Sequence, residues 1–330
     1  MHGSLALLLS SLIATASALA LSSGQPAPAA RPIPPPQRTI AVTIDDLPFQ
    51  GQQPSIETLR SVNRELVERL VANRIPAIGF VNEEKLERPP GAVDPERVAV
   101  LEAWLDAGLE LGNHGYAHLD LHREPLEEVQ ADVVRGERVT RRLLADRGLA
   151  PRFFRHPYLH TGRSLAVRDA LHAFLAEHDY RVAPVTVDNS EWIWSHAYRR
   201  AIESADEELA QRIESEYVPY MERRIAYSES RSRELFDREI AQTLLIHVNH
   251  LAAATLDQLA SMLRARGYRF VPLDEALEDP AYRSPDTWEG SGGISWLDRW
   301  ALTAGKRGDF FAGEPRTPQW VLDAAGIESE

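Results

Sequence analysis

Leu111-Gly112-Asn113-His114-Gly115-Tyr116-Ala117-His118 decides how the rest of the chain is read. The short apolar run at 109–112 has the look of a strand, and two histidines four apart follow it in a loop. On a helix or wide turn that spacing puts both imidazoles on one side, where neutral nitrogens can bind one metal ion. Two imidazoles are not a site, because catalytic zinc usually takes three protein ligands plus water. The third ligand must come from elsewhere, and the acid pair Asp45-Asp46 closes another apolar strand at 39–44. Taken singly, each pair also has a plain reading, as solvated loop histidines and as acids in a turn.

Outward from these two strands the alternation continues. Helical spacing of apolar residues covers 59–71, and 76–81 is β-like. A helix at 96–107 stops at Gly108, and 126–144 reads as one long charged helix. Residues 152–155 form a strand running into His156-Pro157-Tyr158, followed by a helix at 165–176 and a strand at 181–187 ending at Asp188. A strand at 243–246 ends at His247, then come a helix at 256–265 and a last strand at 268–272. Repeated strand–helix alternation argues an α/β fold with a parallel sheet and covering helices. Each polar cluster falls just after a strand, on the face where an α/β barrel carries its active site. An irregular (β/α) barrel is therefore expected, with an open doubly wound sheet as the alternative.

Composition narrows the function. The net charge of −13 argues against nucleic acid or an anionic membrane surface as the partner. The sequence has no cysteine, so disulfides, thiolate zinc and Cys nucleophiles are excluded, and a metal must be held by His and carboxylates. Residues 1–20 contain an apolar run with small-x-small cleavage candidates and read as a signal peptide, with a retained anchor as the alternative. An exported protein, periplasmic or secreted, is expected. Residues 21–37 are a Pro/Ala-rich linker and 38–280 the catalytic domain. Within that domain, 195–240 reads as an inserted helical hairpin, expected to wall the cleft and restrict what enters it. Residues 281–330 are a Trp-rich tail, expected to latch onto the outside of the barrel, with a flat stacking surface formed by Trp288, Trp296 and Trp300 as the alternative.

Five clusters in order resemble the polysaccharide deacetylase family, carbohydrate esterase family 4. Thr43-Ile44-Asp45-Asp46 is similar to its T-F-D-D motif, and His114-Gly-Tyr-Ala-His118 to its H-S/T-x-x-H. Arg155-His156-Pro157-Tyr158 resembles R-x-P-Y, Asp188 to Trp192 resembles D-x-x-D-W, and Leu245-Ile246-His247 resembles L-x-H. The resemblance implies a metal-dependent deacetylase acting on carbon–nitrogen bonds of acetylated glycans. It implies Asp46, His114 and His118 as metal ligands, for zinc or else cobalt or nickel. It implies Asp45 as general base, Arg155 as its partner, His247 as general acid and Glu191 as the group that tunes it. It further implies the Tyr158 N–H as an oxyanion donor, and Trp192 with Leu245 as walls of the acetyl pocket. His250 is a rival acid without the Leu-x-His spacing. Three positions depart from the family pattern: Gly115 for Ser/Thr, Leu47-Pro48 for Gly, and Glu191 for Asp. Two other readings stay open, a hydrolase of cyclic imides or ureides and a non-catalytic carbohydrate-binding relative. The glycan and the oligomeric state are not encoded in these motifs.

Overall fold

The computed structural model describes residues 1–2, 38–88 and 91–330. The apolar leader and the Pro/Ala-rich linker lie outside the described residues. The strands of the main sheet are β1 Arg38–Leu47, β2 Ile78–Val81, β3 Glu110–Asn113, β4 Phe153–Phe154, β5 Arg181–Val182, β6 Gln242–His247 and β7 Tyr268–Phe270, and Glu87–Arg88 pairs antiparallel with Ala92–Val93 in a separate ribbon. The helices are α1 Ile56–Ala72, α2 Pro95–Asp106, α3 Leu126–Arg135, α4 Arg138–Ala145, α5 Leu165–Glu177, α6 Glu191–Glu203, α7 Glu207–Phe236, α8 His250–Ala265, α9 Leu273–Ala276, α10 Trp296–Thr303 and α11 Gln319–Ala325.

The strands of the main sheet lie in the order β5-β4-β3-β2-β1-β6, with β7 beside the start of β1, and every pairing within it is parallel. Beyond β5, Val187 pairs in parallel with Leu244 of β6, so the chain following one edge strand meets the other edge. This is the curled, barrel-like sheet with outer helices that the alternation of elements predicts.

The period of two along β1 sorts its side chains. Ile40, Val42 and Ile44 pack into the core layer under the helices, with Leu59 and Leu66 of α1 and Leu256 of α8. Ala41 belongs to a second cluster with Ile78, Phe80, Phe153, Ala183 and Val271, inside the curl of the sheet. Thr43 and Asp45 continue that inner row toward the C-terminal rim. A strand buried on both faces is therefore apolar except where it reaches the site.

Several elements differ from the sequence reading. The helix expected over 126–144 is two helices, α3 and α4, broken at Gly136. The reason is close packing: a Cβ on Gly136 would lie 2.4 Å from the Gly115 carbonyl carbon. The strand expected to reach residue 187 stops at Val182, two residues before Pro184, which has no N–H to give a ladder. Helix α8 starts earlier than expected, because Asn249 caps it by accepting the Ala252 N–H at 2.8 Å.

The helical hairpin is α6 and α7, and it begins at Glu191 rather than after Trp194. Only part of it walls the cleft. Ser195, His196 and Arg199 of α6 do, whereas α7 buries Ile213, Tyr217, Tyr220, Met221 and Ile225 in the main core and sends Arg224 to the cleft. The tail corrects the outside-latch expectation. Trp296 and Trp300 are buried, but they pack with Leu159, Val185 and Leu245 at the rim, and Trp288 lines the cleft itself.

Candidate active site

Two acids end β1 and face different neighbours. Asp45 is buried, and its Oδ1 has no hydrogen-bond partner. Beside it lies the fully buried guanidinium of Arg155, with Nε 3.9 Å from Asp45 Oδ1 and Nη2 donating to Thr43 Oγ1 at 2.7 Å. Its carbon also sits 4.9 Å from the Phe80 ring centroid. Burial pushes the Asp45 carboxyl up to about 6, against the pull of Arg155. Asp46 has a left-handed backbone, φ 71°, which is uncommon for a residue with a side chain and turns the chain sharply at the rim. Its Oδ1 accepts from Lys85 Nζ at 2.7 Å and lies 3.9 Å from His118 Nε2. Burial would raise the Asp46 carboxyl, but Lys85 and His118 outweigh it and hold the group well below the usual carboxylate range.

The two histidines are held in their neutral form. His114 follows β3, its N–H bonded to the Val81 carbonyl at 3.0 Å. Its Nδ1 is 2.8 Å from the Arg155 carbonyl, so Nδ1–H donates there and Nε2 presents a lone pair 3.7 Å from Asp45 Oδ2. Burial and the neighbouring His118 push the His114 pKa well down, and burial takes His118 down to about 4. His118 also has positive φ, 57°. The loop between them is fixed by Asp132, whose carboxylate accepts the N–H groups of Tyr116 and Ala117, both at 2.9 Å. A Cβ on Gly115 would lie 2.3 Å from Asp132 Oδ2, so the hydroxyl residue of the family pattern has no room here.

Asp46, His114 and His118 each offer one ligand atom, and these atoms lie within 4.8 Å of one another. One carboxylate oxygen and two unprotonated imidazole nitrogens make a donor set that fits a divalent metal ion. The backbone acceptor on His114 Nδ1 is the kind of support that orients a ligating histidine.

His247 ends β6, and its Nδ1 is 2.7 Å from Glu191 Oε2. Glu191 is buried at the first turn of α6 and also accepts from Asn249 Nδ2. The longer carboxylate at this position therefore reaches both partners from the helix start. Burial lowers the His247 pKa, but the Glu191 hydrogen bond and charge, helped by Asp46 and Asp45, outweigh it and raise the group to about 9. His250, at the start of α8, lines the adjoining cavity rather than the one that holds Asp45 and His247, and sits edge-on to Phe49 at 5.6 Å.

Tyr158, φ 58°, sits 4.4 Å from the His118 ring between centroids. Tyr158 and Trp192 are large apolar side chains left exposed, at 56% and 44%, and both stand at the mouth of the cleft. Leu245 is buried and lines it. The cleft has one cavity of about 790 Å³ and an adjoining one of about 550 Å³, and Asp46, Gln50, His118, Tyr158 and Trp192 line both. All ten residues singled out in the sequence meet within this site or directly support it. Sequence reading missed Lys85, Asp132, Asn249 and the tail residues other than its tryptophans. Lys85 carries no motif, and Asp132 acts from within α3 on the backbone N–H groups of Tyr116 and Ala117.

Acids, neutral imidazoles and a carboxylate-backed histidine at the C-terminal rim of a parallel barrel define a hydrolase-type site. Residues 33–182 match the family model described as polysaccharide deacetylase, the family that the sequence motifs resemble. No curated protein matches the sequence. Solved structures that resemble it include the peptidoglycan deacetylase PdaC of Bacillus subtilis, at 20% identity and TM-score 0.46 over 74% of this chain and 92% of that one. A CE4 family pseudoenzyme from Bacillus anthracis has 16% identity and TM-score 0.47 over 74% and 66%. A family 4 carbohydrate esterase from Streptomyces lividans has 17% identity and TM-score 0.43 over 70% and 90%.

Proposed function

We propose that this protein is an exported hydrolase that removes acetyl groups from N-acetylated sugars, using one divalent metal, zinc by preference, held by Asp46, His114 and His118. The observation that supports it best is the meeting of both acids, both neutral histidines, Arg155 and His247 at one rim, delivered by four different strands. An amide carbonyl is a poor electrophile, so its hydrolysis needs an activated water, oxyanion stabilisation and an acid for the leaving amine. A bound divalent cation would supply Lewis acidity at the carbonyl and lower the pKa of the attacking water.

The chain's own residues supply the rest. Asp45 takes the proton from water through Oδ2, the oxygen on the His114 side, while Arg155 beside Oδ1 keeps the carboxylate oriented. The Tyr158 N–H faces the developing oxyanion. His247 gives its proton to the leaving nitrogen, with Glu191 fixing the ring through Nδ1 and leaving Nε2 as the acid. Leu245 and Trp192 flank the acetyl methyl. The test is acetate release from a panel of acetylated glycans with and without chelator. Release that stops on chelation and returns with zinc is the expected result; no release from any member overturns the proposal.

A further inference from the structure

The family match ends at residue 182, yet the larger cavity is walled on one side by residues far beyond it. Trp288, Ile294, Leu302, Phe311 and Arg316, all from the tail, face Asp45, Asp46, His114 and His118 across it. The tail is fastened on both flanks of the rim. On one flank it presses on the Tyr158 turn: a Cβ on Gly293 would lie 1.8 Å from the Tyr158 carbonyl oxygen. Nearby, the Ser291 carbonyl lies 3.3 Å from His122 Nδ1, and the Trp296 N–H donates to the Val185 carbonyl at 2.7 Å. There His122 stacks flat on His160, 3.9 Å between centroids, and His160 Nδ1 bonds Asp120 at 2.7 Å. The buried Arg299 ties Asp286 to this same loop, donating to Asp286 Oδ2 at 2.9 Å and to Thr161 Oγ1.

On the other flank Arg224 of α7 is the fastener. Its Nη1 donates to Glu314 Oε1 at 2.9 Å and the Pro315 carbonyl at 3.0 Å, while its Nε donates to the Asp188 carbonyl at 3.1 Å. Glu330 accepts from Ser190 Oγ and, at 3.1 Å, from the Thr317 N–H. Trp320 of α11 meets Trp194 of α6 edge-on at 5.7 Å. The segment thus spans the rim from the Tyr158 turn to the start of α6, bound at both ends by buried contacts.

We infer that this strap closes one arm of the cleft, so that the enzyme deacetylates a sugar at a fixed, short distance from one end of a glycan. The inference rests on the proposed deacetylase activity and specifies its substrate as short glycans and chain ends. A glycan lying through the site needs an exit at each side of the metal ligands. The strap removes one exit and leaves a cavity of about 790 Å³ in its place, a volume in the range of ordinary small-ligand pockets. Trp288 and Phe311 offer ring faces for stacking, and Arg316 offers donors to hydroxyl groups. The second arm, lined by Gln50, Lys85, His196 and Arg199, is where the remaining chain leaves.

The test uses the full-length, metal-loaded protein and a dimer-to-hexamer series of N-acetylglucosamine oligomers. Partial products are sequenced by mass spectrometry to locate the free amine. The expected result is one position, counted from the same end at every length, favoured by about tenfold or more. In the double variant Leu302→Ala with Phe311→Ala, which opens the strap wall, that preference should fall. Amines spread over interior units of the longer oligomers in the wild type overturn the cap while leaving the deacetylase reading intact. No acetate from any oligomer overturns both.

Discussion

Asp45 and His247 are register partners on neighbouring parallel strands, Asp45 on β1 and His247 on β6. The residues proposed as base and acid are therefore spaced by a backbone ladder, and both emerge on the same face of the sheet. A site built on strands holds its geometry better than one built on loops. The account predicts different failures for the two partners. Asp45→Asn should lose about 10²-fold or more in kcat and keep its metal, because it removes the base and no ligand. His247→Ala should lose far more activity on N-acetyl sugars than on an aryl acetate, since an aryloxide departs without a proton. Equal losses on both substrates would remove His247 from the acid role.

The alkaline limb of activity reports on the Glu191–His247 pair. His247 is raised to about 9, so its protonated form is present below that pH and is lost as pH rises through it. kcat/KM should therefore fall above about pH 9. Glu191→Gln removes the carboxylate that raises the group, and the limb should move down by about one pH unit or more. A limb that stays in place in this variant assigns it to some other group.

Two adjacent glycines separate strap positioning from general tail flexibility. Gly292 has room for a Cβ, with Ile294 Cγ2 at 3.8 Å, whereas at Gly293 the new carbon would lie 1.8 Å from the Tyr158 carbonyl oxygen. Gly292→Ala should be near neutral. Gly293→Ala must push the Tyr158 turn or the strap away, and should lower kcat about tenfold or more with metal content unchanged. Similar kinetics in the two variants would show that the strap does not position Tyr158.

Lys85 holds the Asp46 oxygen that the proposed metal would need. Its ammonium bonds the same Oδ1 that faces His118. Lys85→Ala removes a positive charge next to the metal set, so metal affinity measured by chelator competition should rise about tenfold or more. Unchanged or weaker affinity would mean that the ammonium does not oppose the metal.

The sequence made the rim legible because each site residue follows a strand-like run, and a parallel barrel sends all such ends to one face. His114 and Asp46 were found that way, although sequence could not place their side chains. What stayed hidden depends on contacts between distant segments. The break at Gly136 is set by the Gly115 backbone, and helical periodicity alone continues straight through it. The strap's course depends on Arg224, Ser190 and the Tyr158 carbonyl, and from sequence its tryptophans fit an outside latch as well as a stacking surface. Lys85 became visible only when the turn after β2 folded it against Asp46.

The central claim is that Asp46, His114 and His118 hold the metal on which acetyl hydrolysis depends. Metal content and acetate release, measured in parallel on the wild type and His114→Ala, test it most directly. The account predicts about one divalent metal per wild-type chain, and loss of both metal and acetate release in the variant. A His114→Ala protein that is free of metal and releases acetate at the wild-type rate would contradict it.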